Sequence, residues 1–322
     1  MAWMLALPLV WLGCAIAAFV YAGQQHIPWH LALLALPAFL LEATFYFALG
    51  QEKWRARLER LSPALVALVL TAAAAAPYCA ASLAFGTFRW QALAAIAGMA
   101  AVASFWYVVL PRSAGTDILF LILMTAVFVA NLAPHQYVNP HPKLRLDILG
   151  RVMWIRTGAF AMLSVRRVKG VGFGFWPERR EWMIGLGYFA LFLPVAAAVA
   201  WGIGFTKPHL PPPGWDRVSV LALGTFFGTL WVLAVSEEFF FRGLLQQWMG
   251  EWLGNEWAGW VVAAAIFGSA HLWLHAFPNW RTAILAGIMG LFCGLAFRQA
   301  RSIRASMVTH AITVTVMKLF FS

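Results

Sequence analysis

The feature that most constrains this chain is the way its charge is parcelled out. The 322 residues hold 23 Lys and Arg but only 12 Asp and Glu, and long apolar stretches separate the charged clusters. A helix needs about 20 mostly apolar residues to cross a bilayer. Ten stretches qualify: 4–22, 31–49, 63–85, 92–110, 117–134, 183–205, 218–241, 257–273, 281–298 and 304–321. None alternates polar with apolar residues, so helices rather than a β-barrel are expected. Hydrophobic residues make up 62% of the chain and charged ones 11%, against about 25% charged in a soluble domain. That excludes a soluble enzyme, a disordered regulator and a secreted disulfide scaffold. The expectation is an all-α, polytopic helical membrane protein, multi-pass, with about eight to ten transmembrane helices.

The formal net charge of +11 would suggest nucleic acid in a soluble protein. Here the basic residues sit between apolar runs, where they encode topology and meet anionic head groups. The bilayer is therefore the expected partner, and nucleic acid is not. Cys14, Cys79 and Cys293 all lie in apolar stretches with no metal-ligand spacing and read as small core residues. The first stretch lacks a charged leader and a small-residue cleavage site, so it reads as a retained helix.

The segment 135–182 holds nine Lys and Arg. It divides the chain into an N-terminal membrane domain of unassigned role (1–134), a basic cytoplasmic connector (135–182) and a C-terminal helical domain (183–322). Within the connector, Leu144, Ile148, Leu149, Val152 and Ile155 recur at helical spacing between arginines, which predicts an amphipathic helix on the membrane surface. The Pro-rich stretch 206–217 reads as an external loop. Basic loops face the cytoplasm, so 243–256 and 299–303, flanked by Arg298, Arg301 and Arg304, are expected inside. The stretch 50–62, with Lys53, Arg55, Arg57 and Arg60, should be inside too. Yet three candidate spans separate it from the connector, an odd number that cannot join two cytoplasmic loops. Either one N-terminal stretch does not span or a re-entrant segment is hidden there.

Charge inside the bilayer costs about 2.5–3.5 kcal/mol or more per residue, so the acids within apolar runs need reasons. They are Glu42, Glu237 and Glu238. Glu42 is alone in its stretch and reads as an interhelical hydrogen-bonding group. Glu238 and Arg242 stand at i,i+4 and share a helix face; Glu237 points about 100° away and has no local partner. Adjacent carboxylates in a low dielectric oppose each other's ionisation, and the arginine favours its own partner's. One carboxylate is thus paired and the other free to take a proton. His271 ends the next apolar stretch, His275 follows one turn later, and His310 lies early in the last. Carboxylate with imidazole is the equipment of general-base activation of water.

Glu237-Glu238-x-x-x-Arg242, then Phe267-x-x-x-His271, then His310 on the last helix resemble the intramembrane glutamic endopeptidases of the CPBP (Abi) family, which includes the CAAX proteases. The resemblance runs from about Gly185 to the C-terminus. It implies a catalytic C-terminal bundle that needs no cofactor and cleaves a membrane-anchored protein or peptide. Glu237 would be the general base, His271 would hold and polarise the water, His310 would stabilise the oxyanion, and Glu238 and Arg242 would orient the site. It also implies a site towards the cytoplasmic side, and the Trp-, Ala- and Arg-rich composition suits a bacterial plasma membrane. Many members carry Asn four residues after the last His; here that position is Val314, and Thr313 is the candidate substitute. The C-terminus, Phe320-Phe321-Ser322, is not itself a CAAX substrate. Two other readings stay open. His271 and His275 have the i,i+4 spacing of zinc ligands, although Leu272 stands where a zinc protease helix has glutamate. The scaffold also suits a non-catalytic immunity or sorting-accessory protein. A transporter would need broken helices at matching places in two halves, and none is found.

Overall fold

The computed structural model describes residues 2–205, 214–274 and 277–321; residues 206–213 of the Pro-rich loop and His275 lie outside them. The described residues form helices and no strand, and eight helices are long and apolar enough to cross a membrane. The chain is thus a polytopic helical membrane protein. It divides into two compact units, Met1–Val168 and Lys169–Ser322.

The first unit contains α1 (Ala2–Gln24), α2 (Trp29–Gly50), the short α3 (Glu52–Leu58), α4 (Pro63–Ala84), α5 (Trp90–Val109), α6 (Ala114–Val129) and α7 (Asp147–Phe160), which continues through a π turn, Ala161–Arg166. Local chemistry sets the starts. Ser62 accepts from Leu65 N with Pro63 in the first helical position, and Ser113 with Thr116 forms a capping box for α6. The six longer helices run alternately up and down. At one end the Arg167 guanidinium donates to Glu59 O (2.9 Å) and that of Arg112 to Val165 O (3.0 Å). At the other end Tyr21 OH donates to Lys143 O and Arg89 to Gln136 O, both at 3.2 Å.

The connector helix is not on a surface. Residues 147–166 form a span-length helix in the core of the first unit, with Leu149, Met153, Trp154 and Phe160 buried. The residue that disguises it is Arg156, 0% exposed. Its Nε donates to Glu42 Oε1 (2.7 Å) and its Nη2 to Glu42 Oε2 and Ala73 O (each 3.1 Å), and the guanidinium lies over the Phe45 ring. Glu42 is the interhelical group its sequence context predicts. Because α7 crosses the unit, residues 135–146 and 166–168 stand at opposite ends, and 135–182 is not one cytoplasmic loop. Four helices, α4 to α7, now separate the basic stretch 50–62 from Arg166 and Arg167, and the count is even when the 16-residue α6, shorter than the eight span-length helices, is included.

The second unit begins with α8 (Arg179–Gly202). A continuous helical run over 215–252 follows, made of α9 (Trp215–Gly228), α10 (Val235–Glu238) and α11 (Gln247–Trp252) joined by π turns Thr229–Ala234 and Phe239–Gln246. Then come α12 (Glu256–Ala270), a 3-10 turn (His271–Trp273), α13 (Trp280–Ala300) and α14 (Ile303–Phe320). Two of the ten stretches are helical here but fall short of a full apolar span. The helix α12 has 15 residues, and α14 carries Arg304, His310 and Lys318. Glycines let α13 and its neighbours approach. A Cβ on Gly268 would lie 2.7 Å from Ala283 O, and one on Gly185 would lie 2.6 Å from Val308 Cβ. The turn into α14 is tied to the segment before α8 by Ile303 N to Val171 O (2.9 Å) and Ser302 Oγ to Gly172 O (3.0 Å).

Candidate active site

The four residues of α10 lie between two π turns, and such turns recur at functional sites. Glu238 and Arg242 pair as their spacing predicts, Nη1 to Oε1 at 3.1 Å, with side chains 0% and 1% exposed. Arg242 Nη2 also donates to Gly290 O (3.1 Å), and the guanidinium sits 4.6 Å from the Phe267 ring centroid. One turn on, Gln246 Nε2 donates to Gly294 O at 3.3 Å. Glu238, Arg242 and Gln246 thus form a ladder along α13. A Cβ at Gly294 would lie 2.7 Å from Gln246 Oε1 and 2.5 Å from Trp260 Cδ1, so a side chain there would displace both.

From α14, His310 enters the same site, 2% exposed. Its Nδ1 donates to Glu238 Oε1 at 2.7 Å, and its Nε2 lies 3.8 Å from Glu237 Oε2. A carboxylate only accepts, so the Glu238 bond places a proton on Nδ1 and turns Nε2 towards Glu237. Glu237, without a partner on its own helix, therefore has one across the bundle. Its side chain is 28% exposed, so the adjacent glutamates differ sharply in access to water. Glu238 Oε2 is buried with no partner.

His271 caps the C-terminal end of α12, and its Nδ1 bonds Phe267 O at 2.8 Å. It reaches the others through the fully buried Phe267 ring, whose centroid is 4.7 Å from the His271 ring and 6.1 Å from the His310 ring. The structure brings Glu237, Glu238, Arg242 and His310 into direct proximity and joins His271 to them through Phe267. Sequence reasoning missed Gln246, Gly290 and Gly294. Their signal is a shared four-residue spacing on two helices that later prove adjacent. Thr313, the candidate substitute for the donor missing at Val314, donates its hydroxyl to Thr309 O (2.8 Å). Among the described residues no three His, Cys, Asp or Glu side chains are grouped to hold a metal ion.

Helices that gather two glutamates, an arginine and two histidines around a buried aromatic ring define a class of membrane protein with hydrolytic equipment on its C-terminal helices. Residues 219–316 match the family model described as Type II CAAX prenyl endopeptidase Rce1-like, of the CPBP family. That match runs from α9 into α14 and spans all five residues. At the family level it makes the region similar to an intramembrane endopeptidase, a hydrolase acting on membrane-associated protein. No curated protein and no solved structure matches the chain.

Proposed function

We propose that the protein is a glutamic-type intramembrane endopeptidase that cleaves a membrane-anchored protein or peptide. The observation that carries this is the difference between the two adjacent glutamates. Glu238 is held by Arg242 and His310 and fully buried, while the Glu237 side chain is partly exposed. Glu237 takes a proton from a water held beside His271, and the water oxygen attacks the scissile carbonyl carbon. The carbonyl electron pair moves to its oxygen. His310 Nε2, 3.8 Å from Glu237 Oε2 and turned away from Glu238, is the ring nitrogen that would serve the oxyanion. Collapse breaks the C–N bond, and Glu237 returns its proton to the leaving amine. Glu238 and Arg242 touch no reacting atom in this scheme; they orient His310.

One end of the second unit carries Arg179, Arg180, Arg298, Arg301 and Arg304. Arg180 donates to Gln299 O (3.2 Å), and Arg304 pairs with Glu181 (2.9 Å). By the positive-inside rule that end faces the cytoplasm, and the site opens there, in what the composition suggests is a bacterial plasma membrane. Val314 favours a second reading, a non-catalytic accessory protein, since losing an oxyanion donor costs about 10²–10³ in rate.

The test uses purified protein in liposomes with a library of quenched fluorogenic peptides carrying a lipid anchor. Glu237→Gln is expected to abolish cleavage and leave thermal stability unchanged. Near-normal cleavage by this variant would overturn the mechanism. A wild-type protein that cleaves no peptide in the library would favour the accessory reading.

A further inference from the structure

The buried Glu238 carboxylate is supplied unevenly. Oε1 meets both the Arg242 guanidinium at 3.1 Å and the His310 ring at 2.7 Å, and Oε2 receives no donor. A buried carboxylate oxygen without a donor carries a desolvation cost. A further donor is offered by α14. Ser306 stands one turn before His310, on the same helix face. It is 0% exposed, and since His310 Nδ1 meets Glu238 Oε1 at 2.7 Å, that face is the one α14 turns towards Glu238. That hydroxyl now donates to Ile303 O at 2.8 Å. A hydroxyl carries one rotatable proton, and Ile303 O keeps its helical N–H partner when that proton turns away.

We infer that Ser306 is a positioning residue, whose hydroxyl turns to Glu238 Oε2 and holds the carboxylate so that Oε1 fixes the Nδ1 proton of His310. Side-chain hydroxyls bonding back to their own helix are common, as at Thr309, Thr313 and Thr315 here. Ser306 differs from these in standing against a carboxylate with a free oxygen. The inference rests on the endopeptidase reading only for its activity readout.

Two matched comparisons test it in the full-length protein. Ser306→Ala removes the hydroxyl without adding volume. Ser306→Thr and Ser306→Val have the same shape and differ in the hydroxyl alone. With 15N-labelled histidine, the Nδ1–H resonance of His310, assigned by its loss in His310→Gln, is expected at low field in wild type and Ser306→Thr. It should move upfield or broaden in Ser306→Ala and Ser306→Val. On the lipid-anchored fluorogenic peptides, Ala and Val are expected to lower kcat about tenfold with little change in KM, and Thr to restore it relative to Val. An unchanged resonance in Ala, or identical spectra for Thr and Val, overturns the inference whether or not any peptide is cleaved. If wild type cleaves no peptide while the resonance shifts as stated, the function reading fails and the positioning role stands.

Discussion

Arg242 turns the charge balance of the site. Its planar fork serves three neighbours at once: the Glu238 carboxylate, the Gly290 carbonyl and the face of Phe267. A lysine ammonium, as a compact point charge, would not reproduce that set. Removing one partner of a buried pair typically costs about 3–5 kcal/mol, because the other charge stays buried. Arg242→Ala is therefore expected to lower the melting temperature by several degrees and abolish cleavage. A variant that melts like wild type and merely turns over slowly would show that the guanidinium orients without stabilising. The Glu238–Arg242 contact was legible in the sequence, since i,i+4 neighbours meet on any helix. The Glu238–His310 bond was not. It joins residues 72 apart in the chain, and spacing along one helix says nothing about which face a distant helix presents.

At the scale of elements, α12 carries His271 to the site and is itself set by how closely it meets α13. A Cβ at Gly268 would lie 2.7 Å from the Ala283 carbonyl and 3.0 Å from Gly287 Cα. Both obstacles are backbone, so no rotamer change relieves them. Gly268→Ala must push α12 away from α13 and take Phe267 and His271 with it. Overpacking of this kind costs about 1–3 kcal/mol, and cleavage is expected to fall along with thermal stability. Gly287→Ala is the control, since a Cβ there meets nothing nearer than 3.8 Å; equal losses in the two variants would mean that contact distance does not govern the effect. The helices themselves were readable from apolar length. The π turns at Thr229–Ala234 and Phe239–Gln246 were not, because no residue type marks the wider turn. The shortness of α12 was not readable either, since the apolar run continues into residues 271–274 after the helix has ended.

For the whole molecule, the alternating helices of the first unit fix which loops share a side. Residues 50–62, 110–113 and 165–168 lie at one end, and residues 135–146 lie at the other. Single cysteines at Arg60 and Arg112, in a background lacking Cys14, Cys79 and Cys293, are expected to resist a membrane-impermeant thiol reagent applied to intact cells. Cysteines at Gln24 and His135 are expected to react. Matching reactivity at His135 and Arg112 would mean that α6 does not cross, and matching reactivity at His135 and a cysteine at Arg167 would mean that α7 does not. The polytopic class followed from hydropathy alone. The path of α7 did not, because Arg156 lowers the apparent hydropathy of its own helix and the acid that neutralises it is 114 residues earlier.

That pairing also orders biogenesis. Emerging from the ribosome, Arg156 would meet the insertion machinery as a charge in the middle of a spanning segment, at a cost of about 2.5–3.5 kcal/mol for its helix. By then the helix bearing Glu42 has already been synthesised, so the counter-ion is waiting before the cation arrives. The last helix of the first unit, apolar enough to cross by itself, thus finds the partner for its one buried cation already in place. Its arrival completes the first unit, whose residues all precede the second in the chain.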